Sequence, residues 1–132
     1  MNHASKRANA EAMLALVRRA LDEARAAGEA AAEEYLKVAP RAADGILAPV
    51  NCGSALVCVS SLKPRLRGAL RELGAIECGH RGTWVVEGMS GFSKGLAAQS
   101  ALANSMTCRA AADTLNRLLG DQGQFWTDFR DD

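Results

Sequence analysis

The stretch best suited to chemistry by residue type is Gly88-Met89-Ser90-Gly91-Phe92-Ser93-Lys94-Gly95. Its glycines let backbone approach a ligand closely, Lys94 adds a charge, and a helical pattern follows in which Gln99 and Ser100 come early. Free N–H groups and the dipole at such a helix start favour an anion. The spacing fits neither G-x-x-x-x-G-K-[ST] nor G-x-G-x-x-G, because Lys94 precedes the last glycine. The plainer reading, a loop joining a strand to a helix, outweighs phosphate binding.

Nucleophiles fare no better. Around Ser90, Phe92 stands where a nucleophile elbow needs its second glycine. Cys52 lacks a nearby histidine base, since His80 belongs to a distant turn. Asp131 and Asp132 lie at the C-terminus, while Glu77 and Glu87 flank a hairpin as solvent-facing residues. Hydrolytic chemistry therefore has little support. The cysteines at 52, 58, 78 and 108 form no Cys-x-x-Cys pair, and His3 and His80 lie outside useful ligand spacing. No metal site and no cofactor are expected. Three of the four cysteines fall in apolar strand or helix patterns, where a reduced thiol behaves as a small buried hydrophobe.

A charge reading gives a second surface. Residues 51–95 carry six Lys+Arg against three Asp+Glu, and Lys63, Arg65, Arg67 and Arg71 sit close together. Such a helix could make a modest phosphate-binding patch. Sheet-surface RNA binders place aromatics on their first and third strands, and here only Trp84 is available. A solvated helix face is the plainer account. The whole chain, at 132 residues and net charge +1, is neither a basic nucleic-acid coat nor an acidic mimic.

The elements that must position these residues follow from periodicity. Ala10, Met13, Leu14, Val17, Leu21 and Ala24 make one helical stripe, and strong helix formers continue past Gly28 to Val38 before Pro40 stops them. Residues 41–49 form a linker. Residues 54–60 are a strand and 61–73 a helix closed by Gly74. Residues 75–79 and 83–87 form a hairpin around His80-Arg81-Gly82. Residues 96–119 make a long helix closed by Gly120, and the alternating 124–129 a fourth strand. The uncharged run 45–62 contains Pro49, Asn51 and Gly53, which suits a loop and buried strand better than a membrane span. Only six aromatics stand beside 26 alanines, so the core must come from Leu, Val and Ala.

The order β-α-β-β-α-β behind an N-terminal helix predicts an α+β fold, the ferredoxin-like split βαβ. The expected organisation is residues 1–40 as an amphipathic helical segment and 41–132 as the βαββαβ unit, within one compact body. The expected strand order is 4-1-3-2, all antiparallel. Two helices cover one sheet face, and the N-terminal helix or a second subunit covers the other. This topology gathers Asn51, Cys52, Ser54, Lys94, Gln99, Ser100, Arg130 and Asp132 at one end of the sheet as a binding site for a ligand or partner. The plainer role for Asn51 and Gln99 is to tie loops together through backbone hydrogen bonds.

The run Val50-Asn51-Cys52-Gly53-Ser54-Ala55, the segment 79–84, Gln99-Ser100 and Arg130-x-Asp132 together resemble a group of small uncharacterised bacteriophage and prophage proteins. The likeness covers the last eighty or so residues, and the sequence departs from that pattern at Leu56, where an aromatic is expected. The resemblance implies phage origin and action in a bacterial host cytoplasm, in agreement with a start, Met1 to Arg7, that lacks an apolar signal segment. The leading expectation is a non-enzymatic protein, a homo-oligomer, that engages a host protein or sequesters a small anionic ligand, with counter-defence as a setting. The alternative is a nucleic-acid-binding accessory that uses residues 63–71. A weaker third is an enzyme acting on a nucleotide at the Asn51, Gln99 and Arg130 end.

Overall fold

The computed structural model describes residues 3–38, 53–79, 82–89 and 101–131. In chain order the elements are α1 (His3–Val38), β1 (Gly53–Ser60), α2 (Pro64–Glu72), β2 (Ile76–Cys78), β3 (Trp84–Val86), α3 (Ala101–Leu119) and β4 (Gln124–Asp131). The fold is α+β. Its four strands lie in the order β2-β3-β1-β4, which from the opposite edge is the expected 4-1-3-2, and each neighbouring pair is antiparallel.

Local signals explain most boundaries. Gly28 does not break α1; it is buried, four residues from each of the buried Ala24 and Ala32 on the same helical stripe. The second helix starts three residues later than the expected 61–73. Ser61 adopts a left-handed φ of 54°, and Pro64 takes the first helical position, where its missing N–H costs nothing. The other end is a Schellman closure: the Gly74 N–H donates to the Arg71 carbonyl at 3.0 Å and the Ala75 N–H to the Leu70 carbonyl at 2.8 Å. Gly74 itself sits at φ +64°, where a side chain would be strained. The linker 41–49, the turn residues His80 and Arg81, and the loop and helix start at 90–100 lie outside the described residues.

Alternation divides the sheet. Ala55, Val57 and Val59 of β1, Val86 of β3 and Phe125 of β4 point into the core, where Leu66 and Leu70 of α2 and Cys108, Leu115 and Leu119 of α3 meet them. The expected Leu, Val and Ala core is present. Of the two covers expected for the second sheet face, the N-terminal helix is excluded, for α1 packs on α3 and α2, and its Val17, Ala20, Leu21 and Ala24 join the same core. Alanine explains the choice. Ala20, Ala24 and Ala32 are buried, as are Ala103, Ala111 and Ala112 of α3, so two helices of small side chains can approach closely. They run antiparallel, with Tyr35 beside Ala103 at one end and Glu23 3.7 Å from Arg117 further along.

Candidate functional site

Register builds the expected end of the sheet. Ser54 pairs with Arg130 and Gly53 with Asp131 across β1 and β4, and β3 leaves toward the same end because Val86 lies opposite Val57. Ser54 and Arg130 are thus brought together as backbone neighbours. Asn51, Cys52, Lys94, Gln99, Ser100 and Asp132 lie outside the described residues.

The basic helix is fully placed. Lys63 is the N-cap of α2 and offers no side-chain cap, while its backbone N–H donates to the Gln122 carbonyl at 2.8 Å. Lys63, Arg65 and Arg71 are exposed and Arg67 is half-buried. Arg71 differs from the rest: its guanidinium lies 4.9 Å from the centroid of the Trp84 ring. Trp84 in turn packs against the core, so it is a support for Arg71 and not a platform for stacked bases. Among the described residues, Lys63, Arg65 and Arg67 form no ion pair.

The opposite sheet face carries a feature that the sequence reading passed over. Val85, Cys58 and Trp126 are consecutive register partners across β3, β1 and β4, which places an apolar row over the middle of the face. Cys58 at its centre is 4% exposed, and Trp126 at its end is 38% exposed. Strict alternation in β4 was the available signal, since Phe125 pointing inward obliges Trp126 to point outward. At the β2 edge, Glu77 and Glu87 interact. Burial first, then the charge of Glu77 and a hydrogen bond with it, hold the Glu87 carboxyl above its ordinary 4.5.

The thiols divide by exposure. Burial, with a smaller contribution from Cys58, pushes Cys108 up to about 11, so it stays protonated at neutral pH. Its Sγ lies 3.5 Å from the Met89 carbonyl, to which it donates. Cys58 is also buried. Cys78 departs from the buried-thiol expectation. It sits on the edge strand β2 and is exposed, because few atoms cover an edge. No group of three His, Cys, Asp or Glu able to hold a metal occurs among the described residues.

Comparison with protein-family models, curated proteins and solved structures gives no match.

A third place is a groove of about 540 Å³ between α1 and α2. The α1 stripe continues into it: Met13 and Leu14 are only half-buried and Ala10 is exposed. The two helices run in the same direction, because residues 6–14 of α1 face residues 64–72, and residues 18–25 face Leu73–Ala75 beyond them. Both helix starts thus lie at one end of the groove, and neither first turn holds an acidic residue. No helix among the described residues is long and apolar enough to cross a membrane.

Proposed function

We propose that this chain is a small phage-type binding protein that engages a host bacterial protein through the face of its sheet opposite the helices, without catalysing a reaction. The observation that carries this reading is the Val85–Cys58–Trp126 row. The helices lie on the other side, α3 and α2 against the sheet and α1 on both of them, and no described helix or strand lies over this face. A partly exposed tryptophan on a sheet face is the kind of anchor that binding surfaces concentrate. The ferredoxin-like split βαβ is the finer architecture that fits the strand order. Phage origin, the bacterial cytoplasm and a counter-defence setting rest on the sequence resemblance. Self-association would use the same face, and native mass spectrometry reads it directly.

The test is affinity capture from a bacterial lysate with wild-type and Trp126→Glu baits. One protein retained by the wild type and lost with the variant supports the reading. Equal retention by both overturns it.

Lys63, Arg65 and Arg67, which form no ion pair among the described residues, support a second reading, nucleic-acid binding by α2. It requires affinity that falls steeply with salt and vanishes on reversing Arg65 and Arg67. A small anionic ligand at the Ser54 and Arg130 end requires a thermal shift with nucleotides that Arg130→Ala removes.

A further inference from the structure

The groove between α1 and α2 has a glycine where folding does not ask for one. Gly68 lies in the interior of the nine-residue α2, where glycine is unfavourable relative to alanine. Its φ is not left-handed, and a Cβ built on it would meet nothing within 4 Å. Neither backbone geometry nor a neighbouring atom therefore requires the missing side chain. Its absence does keep the wall of the groove open along Met13, Leu14 and Ala69.

Charge sorts the ends of this groove. Lys6 and Arg65 line it near the two helix starts, and neither forms an ion pair among the described residues. Glu72 lines it at the far end. A cavity of about 540 Å³ falls within the range of small-molecule sites, roughly 300–1,000 Å³.

We infer that the groove binds a single small amphiphile from solution, with a carboxylate or phosphate head between Lys6 and Arg65 and an apolar body along Met13, Leu14 and Gly68. Glu72 sets the orientation, because it repels an anionic head from the other end. The site is separate from the sheet face, so either assignment can fail without the other.

Titration calorimetry with monomeric decanoate and dodecyl phosphate tests this, with decyltrimethylammonium as the cationic control. The wild type binds at least one of the anions and prefers it at least tenfold over the cation. Gly68→Leu fills the groove and weakens that anion at least tenfold, and so does Lys6→Glu combined with Arg65→Glu. Circular dichroism confirms that each variant is folded, and Gly68→Ala, which adds one methyl group in open space, provides a second groove variant that keeps the fold. Trp126→Glu leaves anion binding unchanged. The inference is overturned if neither anion binds, if the cation binds as well, or if folded Gly68→Leu binds like the wild type. Sedimentation with anionic phospholipid vesicles in the absence of decanoate and dodecyl phosphate binding overturns it in favour of a membrane surface.

Discussion

Asn116 closes both backbone polar groups of Phe125: its Nδ2 donates to the Phe125 carbonyl at 2.8 Å, and its Oδ1 accepts the Phe125 N–H at 2.8 Å. β4 is an edge strand, and an edge offers unpaired N–H and C=O groups to any passing chain. At Phe125 a side chain of α3 occupies that position, so strand addition is blocked there. This favours recognition through the face of the sheet over recognition through this edge. Asn116→Ala leaves two partly buried groups without partners and should cost about 1–3 kcal/mol, read as a lower urea midpoint.

Thr107 gives a change of opposite sign. Its side chain is fully buried, and among the described residues its Oγ1 has no hydrogen-bond partner. Thr107→Val keeps the shape and removes the orphaned hydroxyl. It should stabilise the fold by about 1 kcal/mol in the same denaturation experiment.

Two glycines of one segment should respond oppositely to alanine. Gly68 has open space and ordinary helical backbone, so Gly68→Ala should raise stability by up to about 1 kcal/mol. Gly74 closes the same helix at φ +64°, so Gly74→Ala should lower it by about 1 kcal/mol. Thermal melts of the pair measure both signs.

The Glu77 and Glu87 contact makes stability depend on pH. The Glu87 carboxyl is held above 4.5 in the folded chain, so above that pH the native state retains a proton that the unfolded chain has lost. Stability therefore falls as pH rises from 4.5 through the raised value. Glu87→Gln should flatten this part of the profile, and urea midpoints collected in steps from pH 4.5 to neutrality would show it.

Periodicity was enough for the fold because each element carries its own signal. The β1 run of alternating Ala55, Val57 and Val59, the Pro64 and Gly74 brackets of α2, and the apolar stripe of α3 all point to the observed elements. The placement of α1 was harder to read. Its stripe says that one face is buried but not against what, and the sheet offered an apolar face as well. The alanines that decide in favour of α3 become informative only when Ala20, Ala24 and Ala32 are set against Ala103, Ala111 and Ala112. Cys78 shows the same limit, since its strand pattern is sound and only its position at the sheet edge exposes it. The groove was invisible for a related reason: Lys6 and Arg65 are 59 positions apart, and only the parallel packing of α1 and α2 joins them.

Site-specific photo-crosslinking in bacterial cells tests the central assignment most directly. Benzoylphenylalanine replaces Trp126 in one chain and Arg67 in another, each expressed at the same level and irradiated. Recognition through the sheet face predicts a discrete protein adduct from position 126 and none from position 67. An adduct from position 67 with none from position 126 would contradict it and move the binding surface to α2.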